Sequence, residues 1–330
     1  MPQPTRSDVH IDSVLTNMSV AYMQEAYAFV APNAFPTVPV NKQSDLYFQY
    51  TQSDFMRDAV QRRADGTESA GSGYGLSTAS YSTAVYALHK DIGDQVRENS
   101  DSPLNPDMDA TRFLSQQMLI RQERDWASSA FTTGVWGTDT TPGTLWSASG
   151  STPITDVQTG INTVLTNTGY IPNTLIVSYA VFSILRNHSD IVDRYKYTSA
   201  ESINTDLIAK VLGVDRVMVM AGVYDSAAEG ATDSYAQIGD KDALLAYVAP
   251  SAGLMTPSAG YNFVWNGVGG GLGTSTAISR FRMDHLRADR IEIQSAWDFK
   301  VVSSPLGYFF SNVVAALSSY FLSDDNERCP

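Results

Sequence analysis

Residues Asn105 to Thr133, NPDMDATRFLSQQMLIRQERDWASSAFTT, read as one long helix, and a rod of that length sets the scale of whatever packs on it. Asn105 offers a side-chain acceptor to the first turn, Pro106 fits the first helical position, and Asp107 and Asp109 complement the positive end of the helix dipole. Thr132, Thr133 and Gly134 stop it. At 1.5 Å per residue the run spans on the order of 40 Å, about the width of a small domain. Its apolar residues do not form one stripe. Phe113, Ile120, Ala127 and Phe131 share a face, while Leu119, Trp126 and Ala130 point nearly opposite. The pattern predicts core positions at Phe113, Ile120, Trp126, Ala127 and Phe131, with the first face on a sheet and Trp126 against something else.

The chain of 330 residues is long for one domain, so one elaborated domain or two interleaved ones are expected. Thirty-five acidic residues against 22 Lys and Arg give a formal charge of −13, which argues against a chain whose own task is to grip nucleic acid. Cys329 is the one cysteine, so no disulfide forms within the chain, and a reducing compartment is the expected setting. The opening MPQPTRSDVH has no basic region leading into an apolar core, so no export signal is expected. Val301 to Ser323 carries no charge but contains Pro305, Asn312 and five interior serines; it reads as a buried strand followed by a turn or helix, not a membrane span.

In chain order, Val14, Leu15, Met18, Ala21, Tyr22 and Ala26 form an amphipathic stripe or an extended arm with apolar anchors. Pro36 and Pro39 lack donors, so Ala34 to Val40 suits an edge or extended segment. Leu46 to Tyr50 is a strand, and Tyr81 to Ile92 alternates as a second one. Between them lies a polar stretch with Arg57, Arg62 and Arg63 and a Gly/Ser-rich run around Tyr74. The two strands are expected to form a long hairpin with that run at its tip. Such a hairpin is marginal alone and implies packing on another chain.

Residues 134–152 are turn-rich. A compact α/β unit follows, with a helix from Ile154 to Leu165 closed by Gly169, a strand at Leu175–Val177, a helix at Ala180–Arg186, a helix from Ile203 to Leu212 closed by Gly213, and strands at Val217–Met220 and Leu244–Val248. Past Pro257 come strands at Tyr261–Trp265, Ala277–Met283 and Ile291–Val302, with the Gly-rich NGVGGGLGTSTA turn after the first of them. The 154–248 unit is therefore expected to be inserted between the helix and its sheet.

Signals for chemistry are weak. Gly267, Gly269, Gly270, Gly271 and Gly273 fit no dinucleotide or phosphate-loop spacing. His10, His89, His188 and His285 lie far apart, without zinc-ligand spacing. Asn105 to Asp109 lacks the glycine and the twelfth-position Glu of a calcium loop. No nucleophile elbow occurs, and Cys329 lacks surroundings that activate a thiolate. The reading is of a chain with no catalytic residues, no cofactor and no metal. Arg280, Arg282, Arg287 and Arg290 are expected, with Arg57, Arg62, Arg63 and Tyr74, to lie at subunit contacts facing acidic surfaces of neighbouring copies.

The order of parts resembles the major capsid proteins of tailed bacteriophages, the Hong Kong 97 fold. The stretches that carry the resemblance are LTNMSVAYMQEAYAFVAPNAFPTVPVNKQSDLYFQY at 15–50, YALHKDIGDQVREN at 86–99, VYDSAAEG, LLAYVAP and YNFVW within 223–265, and SSPLGYFFSNVV at 303–314. The resemblance implies an α+β fold with an N-terminal arm over 1–45 and an extended β-hairpin loop over 46–98. A peripheral domain would comprise 99–153 and 255–302 with the spine helix 105–133. An inserted α/β axial domain would comprise 154–254 and 303–314, with a tail over 315–330.

It further implies a self-assembling shell of hexamers and pentamers around double-stranded DNA bound without sequence preference, built in the host cytoplasm and carried in the virion. A portal protein, a separate scaffolding protein and a decoration protein are the implied partners, and no membrane is involved. Some members join an extended-loop lysine to a neighbour's asparagine, but 51–89 contains no lysine, so no such crosslink is expected. Some carry a long N-terminal scaffolding segment, and the residues before Val14 are too few for one, so separate scaffolding is expected. An encapsulin-like compartment is the alternative within the fold. An acidic cytosolic α/β enzyme is the alternative outside it.

Overall fold

The computed structural model describes residues 23–100, 104–195, 204–253, 255–268 and 276–315. The stripe at Val14–Tyr22, the glycines of 269–273, Ile203, His10 and the tail beyond Ala315 with Cys329 lie outside the described residues. The chain enters through a short arm, a 3-10 turn at Ala26–Ala28 and helix α1 (Ala31–Ala34), then strand β1 (Thr37–Val40). Strand β2 (Ser44–Tyr50) pairs antiparallel with β3 (Leu76–Ser82), and the short helix α2 (Gln52–Met56) lies in the long connection between them. Next come β4 (Ala84–Gly93), α3 (Asp94–Glu98) and the central helix α4 (Pro106–Ala130).

The strand expected over Tyr81–Ile92 is two strands. The chain breaks at the buried Thr83, whose N–H and hydroxyl both donate to the Gln43 carbonyl, at 2.9 and 3.0 Å. That break passes the chain from the hairpin to a separate sheet, so β3 is the hairpin partner of β2 and β4 belongs elsewhere.

The sheet that takes β4 is built on β13 (Ala288–Val301). One edge of β13 pairs with β4; the other pairs with β12 (Thr276–Met283) and, further along, with β11 (Gly260–Trp265). Strand β1 lies parallel to β11 at the sheet's edge, where Pro39 leaves no central ladder short of a donor.

Helix α4 begins as its sequence indicates, with the Asn105 side chain accepting from the Met108 N–H at 3.2 Å. It ends at Ala130, before Thr133, and the Trp136 indole N–H takes up the Ala130 carbonyl at 2.7 Å. Its fully buried apolar positions are Ala110, Leu114, Trp126 and Ala130, with Met118 close behind. Phe113 and Ala127 are half-buried against the same core, Phe113 beneath the Lys90 ammonium of β4, and Ile120 is half-buried too. Phe131 lies past the last helical residue at φ −103 and ψ 50, so helical spacing no longer aims it. It stacks on Trp126, with ring centroids 5.7 Å apart, instead of sharing the Phe113 face. Trp126 also meets Phe35 edge-on at 6.0 Å, so the group it packs on is the chain's own arm.

A second sheet has the order β5 (Thr138–Thr140), β14 (Gly307–Phe310), β10 (Ala243–Ala246), β6 (Thr174–Ser178), β7 (Arg216–Met220). Residues 138–140, expected as turn beside the central helix, pair parallel with β14 and so join this sheet. Helices α5 (Pro153–Thr168), α6 (Tyr179–Asn187), α7 (Ser189–Tyr195) and α8 (Thr205–Leu212) accompany it, with a small hairpin of β8 (Val223–Asp225) and β9 (Tyr235–Gln237). Gly169 and Gly213 end α5 and α8 in the left-handed conformation that a side chain disfavours.

Strand β6 reads as a continuous apolar run because both of its faces are covered. Leu175 and Val177 share a core with α5, α6 and α8. Ile176, with Leu244, Ala246 and Phe309, faces a second core that also holds Trp126, Phe131, Phe35 and Trp297. The C-terminal end of α4 and the arm therefore lie in the core common to both sheets. Gly307 is placed where a β-carbon would run into the Trp136 ring, so β14 can approach only as glycine.

Trp126→Ala is expected to cost about 3–5 kcal/mol of stability, and Ile120→Ala about 1 kcal/mol or less, in equilibrium urea unfolding of the purified chain.

Candidate subunit interface

Period-2 alternation gives the β2–β3 ribbon two unlike faces. On the inner face Tyr47 and Tyr81 both stack on Phe263, at 5.5 and 4.6 Å between centroids, and the Gln49 amide donates to the Val302 carbonyl. On the outer face Leu46, Phe48 and Leu76 are 61%, 62% and 53% exposed. Tyr50 pairs with Leu76 in the same register, which makes the bare face continuous along the ribbon. Beyond it, Tyr50, Phe55 and Tyr74 form a three-ring cluster with centroids 5.7–5.9 Å apart. The Gln52 amide ties α2 to the Asn167 carbonyl at the end of α5.

The tip between α2 and β3 has no regular strand or helix. Arg57, Arg62 and Arg63 are exposed there and have no ion-pair partner among the described residues; Arg63 donates to the Thr67 carbonyl. Val60 is 91% exposed and Tyr74 is exposed as well. Between the ribbon root and residues 252–257 runs an open groove of about 990 Å³, lined by Tyr47, Phe55, Met56, Tyr170, Met255 and Leu306 among others. Among the described residues no charged side chain lines it, so it suits apolar contact.

The arginines near 280–290 behave differently from the expectation of pairing with neighbouring copies. Arg280 meets Asp289 at 2.6 Å and Asp107 at 3.4 Å. Arg282 reaches Asp94 through two donors at 2.5 and 2.6 Å and touches Asp289. Arg290 is bidentate on Asp91 at 2.7 and 2.8 Å. Arg97, which sequence reading did not single out, bridges Asp107 and Asp289.

The cause is register: Arg282 lies across from Asp289 on β12 and β13, and Arg290 across from Asp91 on β13 and β4, so opposite charges meet within one chain. The acids come from distant parts of the sequence. Only the alternation of Arg280 with Arg282 along the strand hinted at them. Arg287 is a turn residue at φ +47 whose carbonyl accepts from the Asp94 N–H, and it has no ion pair among the described residues.

Hydrogen bonds from Arg280, then Arg282 and Arg97, hold the Asp289 carboxyl down at about 2. Arg282 likewise lowers Asp94, and Arg290 lowers Asp91. Among the described residues no cluster of His, Cys, Asp and Glu is arranged to hold a metal. His188 is structural: its ring joins the Ser151 hydroxyl at 2.9 Å and accepts from the Asp190 N–H. No described helix is long and apolar enough to cross a membrane.

No family model matches the chain. The major capsid protein of Burkholderia phage BcepMu is 21% identical over 242 residues, covering 72% of this chain and 76% of that protein. A phage-related protein of Bordetella bronchiseptica superposes with a TM-score of 0.67 at 20% identity over 89% of this chain and 95% of its own. The mature capsid of bacteriophage PhiM1 gives 0.59 at 10% identity over 92% of each chain. The fold is the Hong Kong 97 fold of phage capsid structures, and the chain is similar in sequence to a phage major capsid protein.

The two kinds of surface differ: the charge network is spent inside the chain, and the outer ribbon face is left exposed. Because the folded Asp289 carboxyl lies below its ordinary value, the network's stabilisation is present above about pH 4 and is lost as pH falls toward 2. Asp289→Asn should lower the melting temperature at pH 7, by less in high salt, and the difference from wild type should close between pH 4 and 2 in scanning calorimetry.

Proposed function

We propose that this chain is the shell-forming subunit of a tailed bacteriophage, assembling as hexamers and pentamers into the icosahedral capsid that encloses double-stranded DNA. The observation that carries the reading is the β2–β3 ribbon, rooted on one face and apolar and bare on the other. An isolated ribbon of two strands gains little in water, and exposed Leu46, Phe48 and Leu76 become useful only when a second copy covers them. The tip arginines, Arg57, Arg62 and Arg63, then meet acidic surface on that copy, since a chain of net charge −13 has much of it to offer.

In this assignment residues 1–45 are the arm and 46–98 the extended loop. Residues 99–153 and 255–302 form the peripheral domain around the spine helix, and 154–254 with 303–314 form the axial domain. The one exception inside 99–153 is Thr138–Thr140, whose pairing with β14 supports moving that strand to the axial sheet. A separate scaffolding protein guides assembly, a portal occupies one vertex, and a decoration protein adds to the outer surface. The acidic chain suits a container, because a lumen that gripped DNA would impede loading and release. With no lysine between 51 and 89, neighbours are held without covalent crosslinks.

Expressed alone and with its candidate scaffold, the chain should give capsomers or closed shells by electron microscopy; discrete small oligomers would refute the reading, and a co-purifying enzyme cargo would favour a protein compartment. Denaturant without reductant should reduce particles to monomer on a gel, whereas a ladder of linked chains would overturn the crosslink argument. Phe48→Ser with Leu76→Ser should abolish particles while shifting monomer stability by no more than about 1 kcal/mol, checked by sedimentation and urea unfolding.

A further inference from the structure

One buried acid takes no part in the charge network. Glu123 lies on α4 one helical turn from Trp126, and its side chain is fully buried. Its two carboxylate oxygens accept from consecutive backbone amides of the arm, Oε1 from Val30 N–H at 3.1 Å and Oε2 from Ala31 N–H at 2.7 Å. Those amides open α1, and the arm around them is anchored by the buried Phe29, Val30, Ala31, Ala34 and Phe35.

We propose that Glu123 is a proton-operated latch for the N-terminal arm: its carboxyl group holds residues 29–35 on the central helix, and proton uptake tightens that hold.

Most of the charged groups on the surrounding elements are engaged elsewhere. On α4, Arg121 pairs with Asp125, which also accepts from the Trp297 indole, and Arg124 lies over the Tyr224 ring at 4.3 Å. Asp225 of β8 accepts from the Ala227 and Ser234 amides, and Asp298 of β13 from the Ser82 amide. Glu292 of β13 accepts from Gln294, Glu25 at the start of the arm is exposed, and Lys300 of β13 is half-buried. Residues 26–36 contain no charged side chain. Ionisation of Glu123 is therefore governed by burial, which raises the carboxyl to about 7, opposed by the Ala31 and Val30 amides, which lower it.

With the arm detached the carboxyl meets water and returns to its ordinary range near 4.5. The docked state thus binds the proton more tightly than the undocked state. Docking strengthens as pH falls from about 7 toward 4.5 and weakens as pH rises through that window. The neutral acid gives up one of the two amide bonds, but removing a buried charge with no cationic partner among the described residues outweighs that loss. The latch is a property of the chain and does not depend on shell formation.

Hydrogen exchange of the 29–35 amides, corrected for the intrinsic pH dependence of exchange, tests it on the full-length chain. Wild-type protection should fall about tenfold or more from pH 5.5 to 8.5, and in Glu123→Gln it should be flat. A carboxyl-carbon NMR titration of Glu123 in the wild type gives an independent reading that needs no variant. A midpoint near 7 is expected. A midpoint between 4 and 5, or wild-type protection that does not change with pH, would overturn the proposal.

Discussion

Burial of the C-terminal half of α4 is the constraint on which the rest of the structure depends. Trp126 has no exposed surface, and around it converge Phe35 from the arm, Phe131 from the helix exit and, in the same core, Trp297 of the first sheet and Phe309 of the second. A side chain of that size contributes several kcal/mol only if every neighbour is in place. The two sheets, the arm and the helix are therefore held together cooperatively at one end of one rod. Distortion there would reach both sheets at once.

That core leaves the β2–β3 ribbon outside. Its inner face is satisfied by Phe263 and Val302, but among the described residues Leu46, Phe48 and Leu76 stay more than half exposed. The charge network makes the opposite choice: Arg280, Arg282 and Arg290 use their hydrogen-bonding capacity on Asp289, Asp94 and Asp91 and so pin β12, β13, β4 and α3 into one plate. A plate stiffened internally with a projecting apolar ribbon is a sound basis for a repeating contact. The plate holds the root of the ribbon, and the ribbon presents the apolar surface proposed to meet a neighbour.

Much of this was legible in the sequence where a local cause decided the outcome. Asn105 and Pro106 set the start of α4, Gly169 and Gly213 the ends of α5 and α8, and the two prolines put β1 at an edge. The two-sided apolar pattern of α4 raised the expectation of cover on both sides; Trp126 meets Phe35 of the arm, and Phe113 lies beneath Lys90 of β4. Which residues were deepest was not readable, because Ala110 and Leu114 are buried by partners far away in sequence. The break at Thr83 was missed because alternation continues through it, and only the Gln43 carbonyl marks it. The pairing of the 280–290 arginines depended on strand register, which no local signal carries. Glu123 in a helix reads as a surface residue, and nothing near it in sequence tells of the arm that buries it.

The central claim is that the bare ribbon face is a contact between copies, and an electron cryo-microscopy map of assembled particles at side-chain resolution tests it most directly. The account predicts Leu46, Phe48 and Leu76 covered by a neighbouring subunit, with Trp126 still enclosed by its own chain's arm. A closed shell in which that face remains open to solvent would contradict it.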